Sequence, residues 1–312
     1  MSGRHVLVVK LGALGDFVQA AGPFAAIRRH HKGDRITLLT TRPFADFASA
    51  SPWFDAVWID DRPRPWQVAR WWRLRRRLRD AGFDRVYDLQ TSDRSGWYFR
   101  LLGGGVEWSG IAPGCSHPHA NPGRDLMHTL DRQAEQLRMA GIDMVEPPDL
   151  SWVTADVGRF GLPARYALMV PGGAPHRPAK RWPPENFAVI GRKLADDGVM
   201  PVLLGTKGEA PAHAAILAAC PTARSLAGAT AIADLVVLAR GAVAALGNDT
   251  GPMHVAAAAG CPSLVLFSAE SDPILCAPRG RVAVLRRERL AELGVGEVAA
   301  ALAETAGGLA LT

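Results

Sequence analysis

Cysteine is scarce in this chain of 312 residues, and its spacing argues against several kinds of site. No two cysteines form a CxxC pair, which argues against a structural zinc site and against a redox dithiol. Widely spaced cysteines are typical of a protein kept in a reducing compartment. The four cysteines are Cys115, Cys220, Cys261 and Cys276.

Long apolar runs are also missing. No uninterrupted apolar run reaches the roughly 18 residues that indicate a membrane-spanning helix. The segment 1–10 leads directly into a strand pattern, without the longer apolar region and cleavage site of a signal peptide. We therefore expect neither secretion nor a membrane span, and we expect a cytoplasmic protein.

The composition is that of a folded globular protein, with 48% hydrophobic and 21% charged residues. A chain of 312 residues exceeds the length at which one core usually keeps growing, so two domains of roughly 150 residues are expected. The formal net charge of +6 favours anionic partners such as phosphates, nucleic acid or an anionic membrane surface.

The first strand pattern leads into a turn that contains glycine. His5–Val9 is short, apolar and rich in β-branched residues, as expected of a strand buried in a parallel sheet. Gly12 and Gly15 follow, but the GxGxxG fingerprint is absent, which argues against an NAD-dependent enzyme. Asp16 ends the turn, either as a functional carboxylate or as a cap of the helix predicted over 17–31.

Strand patterns alternate with helical stretches, which predicts a doubly wound parallel α/β sheet in each half of the chain. A linker-like segment near 155–163 predicts the domain boundary, so the two domains are 1–158 and 159–312. The last helical stretch, 290–309, could lie back across the first domain. Further strands are predicted over 35–40, 56–60, 85–89, 166–170, 200–205 and 262–267.

Residues 66–79 are a strongly basic helix candidate that also carries tryptophan. Tryptophan and arginine together suit the interface of an anionic membrane or an anionic glycolipid. The other interpretation is a crossover helix in which Trp71, Leu74 and Leu78 pack inward and the arginines stay in solvent. No nucleic-acid-binding module accompanies the helix, so nucleic acid is not a predicted partner. The arginines are Arg70, Arg73, Arg75, Arg76, Arg77 and Arg79.

Glycine, proline and histidine are dense over 103–125, and this composition predicts a long loop. His117 and His119 lie in this segment without nearby carboxylates in the sequence. Such histidines are usually exposed, so we predict no metal site here or elsewhere in the chain.

Two turns of the second half carry candidate ligands for a phosphorylated molecule. Lys180 lies in a loop shaped by glycine and proline, and it is either a phosphate ligand or a lysine in solvent. Glu209 follows the strand predicted over 200–205. Its carboxylate either holds ribose hydroxyls or only favours the start of the next helix.

The stretch 247–254 is the strongest candidate for an anion site, because its pattern is a strand end, a tight turn and a helix start. Asp249 or Thr250 is the predicted cap of that helix. Gly251 allows a sharp turn, and Pro252 suits the first helical turn. The N–H groups at such a helix start bind phosphates at the carboxyl edge of a parallel sheet.

Taken together, these motifs resemble those of glycosyltransferase family 9, the lipopolysaccharide heptosyltransferases and their relatives. The resemblance covers nearly the whole chain. It rests on VKLGALGD at 9–16 with Pro23, DLQ at 88–90, PG at 171–172, KRWP at 180–183, and NDTGPMH at 248–254 with Gly260 and Pro262.

The resemblance implies a GT-B architecture, in which two Rossmann-like domains face a central cleft. The domain 1–158 would bind the acceptor, and the domain 159–312 would bind the nucleotide sugar. By motif match Asp16 looks like the general base, and Lys10 and Gln90 are candidates for acceptor binding. The implied donor phosphate contacts are Lys180, Thr250, Gly251 and His254, and the implied donor sugar and ribose contacts are Asp249 and Glu209.

The implied activity is inverting transfer of a heptose or related sugar from an ADP-sugar to a lipopolysaccharide-core or other glycan acceptor. No obligatory metal is predicted, since a lysine, a histidine and helix N–H groups can stabilise the leaving diphosphate. Two alternatives stay open, a GT-B nucleotide-sugar epimerase and a non-catalytic module that binds a nucleotide or glycan. If the basic helix binds lipid, the protein would be peripheral on the inner face of the cytoplasmic membrane.

Two segments depart from the family pattern, and the first is Leu11-Gly12-Ala13, where the best-known core heptosyltransferases carry Thr-Ser-Ser. The second, Ser268-Ala269-Glu270, follows the last predicted strand, where family members often carry a Gly-Pro pair. The edge of the donor pocket is therefore expected to differ, and the sequence leaves the identity of the donor sugar open.

Overall fold

The computed structural model describes residues 3–173 and 177–311. The chain divides into two compact units, Met1–Pro148 and Asp149–Thr312, so the division falls earlier than the boundary expected at 158–159. Residues that lie before the expected boundary already pack with the second unit. Leu150 and Val153 are buried there, and the Arg240 guanidinium donates to both of their carbonyl oxygens.

The described part of the first unit contains six strands and six α-helices. The strands are β1 (His5–Val9), β2 (Arg35–Thr40), β3 (Ala56–Ile59), β4 (Arg85–Asp88), β5 (Glu107–Gly110) and β6 (His117–Pro118). The helices are α1 (Leu14–Gln19), α2 (Ala21–His30), α3 (Arg42–Ser49), α4 (Val68–Asp80), α5 (Asp93–Leu102) and α6 (Thr129–Met139). The strands pair in parallel in the order β3-β2-β1-β4-β5-β6.

The described part of the second unit repeats this organisation. Its strands are β7 (Tyr166–Val170), β8 (Met200–Leu203), β9 (Arg224–Ser225), β10 (Ala245–Asn248), β11 (Ser263–Phe267) and β12 (Val282–Arg286). Its helices are α7 (Pro184–Asp196), α8 (Ala210–Ala219), α9 (Ile232–Gly241), α10 (Gly251–Ala258), α11 (Pro273–Cys276) and α12 (Val295–Ala306). The parallel order is β12-β11-β10-β7-β8-β9.

Both sheets have the strand order of a doubly wound Rossmann-like fold, as predicted. In each sheet the first strand pairs with the fourth, β1 with β4 and β7 with β10. The direction of winding reverses between those two strands. Because ligands bind outside the carboxyl ends of the strands at such a switch point, the turns after these four strands are the places to look for a site.

The core explains why the strands read as continuous apolar runs. All five residues of β7 and of β11 are buried, as expected of strands covered by helices on both faces. The last helix, α12, packs against β11, β12 and α7 of its own unit. Val298 and Leu302 of this helix join the core cluster around Trp182.

The prediction of a long loop over 103–125 was wrong. β5 and β6 lie within this segment and extend the first sheet beyond β4. The expectation that His119 is exposed was also wrong, because its side chain is buried and its Nε2 lies 2.8 Å from Oε2 of Glu135. Glu135 lies on α6, sixteen residues later, so the local sequence did not show this partner.

Among the described residues, every helix is too short or too polar to span a lipid bilayer.

Candidate functional site

The side chain of Asn248 connects three segments at the carboxyl edge of the second sheet. It ends β10 and is fully buried. Its Oδ1 accepts a hydrogen bond from the backbone N–H of Trp182 at 3.0 Å. Its Nδ2 donates to the carbonyl oxygens of Pro171 at 2.8 Å and Gly172 at 3.0 Å. A buried amide must satisfy its polar atoms, so these bonds fix the turns after β7 and β10 and the segment before α7.

Asp249 comes next and gathers three polar side chains. Its Oδ2 accepts hydrogen bonds from Nζ of Lys180 and from Oγ of Ser271, both at 2.7 Å. Its Oδ1 lies 3.9 Å from Nε2 of His254. Burial by itself would raise the pKa of Asp249, but the contacts with His254, Lys180 and Ser271 outweigh burial and hold the pKa well below its usual range. Asp249 is therefore ionised at neutral pH.

The start of α10 lies directly after this carboxylate. Thr250 occupies the N-cap position, and Pro252 lies in the first turn. Thr250, one of the two predicted caps, is therefore the cap residue by position, but its side chain makes no capping hydrogen bond within the described residues. Thr250 instead donates through Oγ1 to the carbonyl oxygen of Asn248 at 3.2 Å. The positive end of the helix thus lies beside the Lys180 and Asp249 pair, where the local field favours an anion.

Glu209 fills one of its two predicted roles, that of favouring the start of the next helical turn. Its Oε2 accepts hydrogen bonds from Thr206, at 2.5 Å from the backbone N–H and 3.1 Å from Oγ1, and so caps the helical turn Lys207–Glu209. Its Oε1 lies so close to the backbone of Gly172 that a Cβ built on this glycine would be 1.5 Å from that oxygen. The carboxylate therefore reaches the turn after β7, and contact with a ribose stays a prediction.

Asp16 lies in the first turn of α1 with an exposed side chain. Its Oδ2 accepts a hydrogen bond from the N–H of Ala13 at 3.3 Å, so it caps the helix while its carboxylate remains accessible. Gly12, earlier in the same turn, has φ of 121°, and a Cβ there would lie 2.7 Å from the Phe44 ring. The sharp turn between β1 and α1 therefore requires glycine.

The backbone of Leu11 fixes the turn that leads to Asp16. Its N–H donates to Oε1 of Gln90 at 2.8 Å. Its carbonyl oxygen accepts hydrogen bonds from Oγ1 of Thr41 at 3.0 Å and from Nη2 of Arg62 at 3.1 Å. The three side chains come from the segments after β4, β2 and β3, so three neighbouring connections position this turn.

Lys10 and Asp88 are buried behind the same turn. Nζ of Lys10 donates to the carbonyl oxygen of Leu89 at 3.0 Å, and burial lowers the pKa of the ammonium group. Oδ1 of Asp88 accepts hydrogen bonds from the backbone N–H groups of Gln90 at 3.1 Å and Thr91 at 3.0 Å. Burial outweighs these bonds and raises the pKa of Asp88 to about 6.

Residues 71–290 match the family model described as glycosyltransferase family 9 (heptosyltransferase). The chain belongs to this family. It is 39% identical over 104 residues to lipopolysaccharide heptosyltransferase 2 of Escherichia coli strain K12. That match covers 32% of this chain and 30% of the relative, so the chain spans less than a third of that relative's length.

Two solved structures share the fold of this family 9 chain. A family 9 glycosyltransferase from Veillonella parvula has a TM-score of 0.83 and 18% identity, over 98% of both chains. The E. coli ADP-heptose lipopolysaccharide heptosyltransferase II has a TM-score of 0.79 and 21% identity, over 97% of this chain and 98% of that chain. The predicted GT-B fold class, with two doubly wound parallel α/β domains, is confirmed.

The structure brings Lys180, Asp249 and His254 of this family 9 chain together, although Lys180 is far from the other two in sequence. Sequence reasoning missed Ser271, the other hydrogen-bond donor to Asp249. It lies just after the second segment that departs from the family pattern, and a serine after a strand end carries no signal of its own. Within the described ranges, no group of three or more histidine, cysteine or acidic side chains could hold a metal ion.

Lys10 and Gln90, candidates for acceptor binding, both hold backbone atoms of the neighbouring turns. We expect Gln90→Leu to lower the free energy of unfolding by about 1–3 kcal/mol, because it removes the hydrogen-bond partner of the Leu11 N–H. Gln90→Glu keeps an acceptor oxygen and serves as the matched variant, so its free energy of unfolding should fall by less than that of Gln90→Leu. Urea unfolding of both variants measures the difference. Equal losses would show that the hydrogen bond to Leu11 is not the cause.

Asp88 should make the stability of the protein depend on pH. Its pKa of about 6 in the folded state lies above the ordinary aspartate value of 3.8, so the folded protein holds the proton more tightly than the unfolded chain. The resulting stability is present below about pH 4 and is lost as pH rises through about 6, a change of about 3 kcal/mol.

Urea unfolding of wild type and Asp88→Asn across this pH range tests that expectation, with the exposed Asp46→Asn as control. As pH rises from about 4 to about 6, the free energy of unfolding of the wild type should fall relative to that of Asp88→Asn. A constant difference would show that Asp88 does not titrate in this window.

Proposed function

We propose that this protein is an inverting glycosyltransferase that moves a heptose or related sugar from an ADP-sugar to a lipopolysaccharide-core or other glycan acceptor. The observation that carries the proposal is the cluster of Lys180, Asp249 and His254 beside the start of α10. Membership of glycosyltransferase family 9 supports sugar transfer, and the E. coli heptosyltransferase of the same fold is named for ADP-heptose.

The donor site would stabilise the leaving diphosphate without a metal. Negative charge develops on the phosphate oxygens as the bond to the sugar breaks. Lys180, His254 and the positive end of α10 at Thr250 and Gly251 supply the opposing charge and hydrogen bonds. Asp249 is ionised and holds Lys180 in place, and its carboxylate is an acceptor for hydroxyls of the donor sugar.

Glu209 extends this donor site towards the turn after β7. One of its oxygens is used by Thr206, and the other lies against Gly172. A carboxylate at the end of a strand in this position is suited to ribose hydroxyls. We therefore assign Glu209 to the ribose of the nucleotide.

Asp16 would act as the general base. As the acceptor hydroxyl attacks the anomeric carbon, its proton passes to the carboxylate of Asp16 and the bond to ADP breaks on the opposite face. The configuration at the anomeric carbon therefore inverts. The hydrogen bonds to the backbone of Leu11 limit the movement of the Asp16 carboxylate. Such positioning of a catalytic group itself increases the reaction rate.

A lipopolysaccharide-core acceptor is lipid linked, so we place the proposed reaction at the cytoplasmic face of the inner membrane. Lys10 and Gln90 stay candidates for contact with the acceptor. A nucleotide-sugar epimerase would turn over the donor without an acceptor, and a non-catalytic module would bind the donor without any product. The two experiments below separate these outcomes.

We expect Lys180→Ala to weaken ADP binding about 10-fold to 100-fold, because it removes one charge-assisted hydrogen bond to the diphosphate. Calorimetric titration with ADP measures this, with GDP and UDP as competitors and the exposed Lys32→Ala as control. Wild-type protein that binds none of these nucleotides would contradict the donor site.

We expect Asp16→Asn to lower turnover by about 10² to 10⁴ while ADP affinity changes little, because only proton transfer is lost. Asp93→Asn is the matched control, since Asp93 is also an exposed aspartate in the first turn of a helix, α5. Transfer of a labelled heptose from ADP-heptose to a lipopolysaccharide-core acceptor is the assay. Near-normal turnover in Asp16→Asn would remove it from this role, and donor conversion without an acceptor would favour the epimerase.

A further inference from the structure

Three tryptophans of the first unit are exposed around α4 and α5. Trp66 precedes α4 and is 70% exposed, Trp72 lies on α4 and is 63% exposed, and Trp97 lies on α5 and is 54% exposed. The two helices pack against each other and against one core cluster. Large apolar side chains left in solvent on adjacent helices indicate an interaction surface.

Each of these rings has a guanidinium over it. Arg64 lies 5.4 Å from the centre of the Trp66 ring, Arg75 lies 5.5 Å from Trp72, and Arg100 lies 4.9 Å from Trp97. We call these three pairs the tryptophan–arginine surface. An apolar ring beside a fixed positive charge is the combination that suits the boundary between lipid headgroups and acyl chains.

The turn that carries Trp66 is held in a defined conformation. The N–H of Arg64 donates to Oε1 of Gln67 at 2.9 Å, and the N–H of Gln67 donates to the carbonyl oxygen of Arg64 at 2.9 Å. Nε1 of Trp71 donates to the same carbonyl oxygen at 3.1 Å. The exposed ring of Trp66 therefore projects from a fixed turn.

The inner side of α4 serves the fold. Leu78 is fully buried, and Trp71 and Leu74 pack against the same core cluster, as the crossover interpretation predicted. That interpretation does not account for the exposed ring of Trp72 on the outer side.

The six arginines of α4 divide into three groups. Arg77 stacks on the Trp58 ring at 4.0 Å, and Nε of Arg79 donates to the carbonyl oxygen of Leu101 at 2.9 Å, so these two serve the fold. Arg75 belongs to the tryptophan–arginine surface. The remaining three are exposed, and their side chains form no hydrogen bond or ion pair within the described residues. These are Arg70, Arg73 and Arg76.

The surface lies close to the edge of the sheet where Asp16 is found. α4 connects β3 to β4, which are parallel, so the helix runs back against the strand direction. Its first turn is therefore at the carboxyl edge of the first sheet, as is the turn that carries Asp16. Trp66 and Trp72 lie at this end of the helix.

We propose that the tryptophan–arginine surface docks the protein on a bilayer that contains anionic phospholipids. The three tryptophan rings enter the interface, while Arg70, Arg73 and Arg76 pair with lipid phosphates. This extends the proposed function, because a bilayer docked here brings a lipid-linked acceptor to the edge that carries Asp16. Lipid binding itself needs neither donor nor acceptor, so it is tested separately from sugar transfer.

The test is flotation of the full-length protein with vesicles of phosphatidylglycerol and phosphatidylcholine, compared with vesicles of phosphatidylcholine alone. Arg70→Gln with Arg73→Gln and Arg76→Gln should lower the partition coefficient on anionic vesicles about 100-fold. Trp72→Ala with Trp97→Ala should lower it about 10-fold.

The control variant removes the same charge from exposed arginines elsewhere, and it should bind vesicles nearly as wild type does. Its changes are Arg35→Gln, Arg138→Gln and Arg281→Gln. Equal loss in this control would show that only net charge matters and would overturn the proposal.

Three further outcomes would overturn the docking surface. Wild-type protein that floats with neither vesicle has no such surface. Self-association that Trp72→Ala and Trp97→Ala abolish would assign the surface to a second copy of the chain. Tighter binding to an oligonucleotide than to vesicles would assign it to nucleic acid.

A separate assay keeps the docking surface apart from the proposed transfer reaction. Turnover with a short, lipid-free acceptor should be unchanged in the triple arginine variant. A protein that binds vesicles but does not transfer sugar would contradict the proposed function and leave the docking surface in place.

Discussion

The buried amide of Asn248 is the interaction on which the second unit's candidate site depends. It has no access to water, so its oxygen and nitrogen must find partners in the protein, and they find them on the backbone of Trp182, Pro171 and Gly172. These bonds fix the turn from which Asp249 extends and the segment that follows Lys180. The ion pair between Asp249 and Lys180 therefore forms between two positioned side chains, which lowers the entropy lost on forming it.

The first unit uses the same device at its own switch point. There the amide of Gln90, just after β4, accepts from the backbone of Leu11, just after β1. In both units an amide side chain at the end of the fourth strand holds the turn after the first. Adjacent parallel strands place these two turns side by side, so a short polar side chain can reach across. The two proposed reaction partners, donor and acceptor, are thus assigned to sites with the same structural support.

Two carboxylates near these turns, the partly buried Asp249 and the fully buried Asp88, are in opposite electrostatic situations. Asp249 has Lys180, Ser271 and His254 around it, and these contacts overcome the cost of burial. Asp88 has backbone N–H groups and a buried lysine nearby, and burial prevails. A charged Asp249 suits the proposed donor site, where it holds the side chains of Lys180 and His254 in position for a diphosphate. Asp88 lies behind the turn, where its hydrogen bonds with Gln90 and Thr91 shape the connection rather than a ligand surface.

The sequence by itself determined the alternating strands and helices, the buried strands β1 and β7, and the turns that carry Asp16 and Asp249, because these depend on local periodicity and on turn-forming residues. Only the tertiary structure decided the partners of those turns. Strand order places Thr41 and Arg62 on the carbonyl of Leu11. The path of the chain also brings Lys180 and Ser271 to Asp249, and Glu135 to His119. These partners are distant in sequence, so no local pattern could predict the contacts.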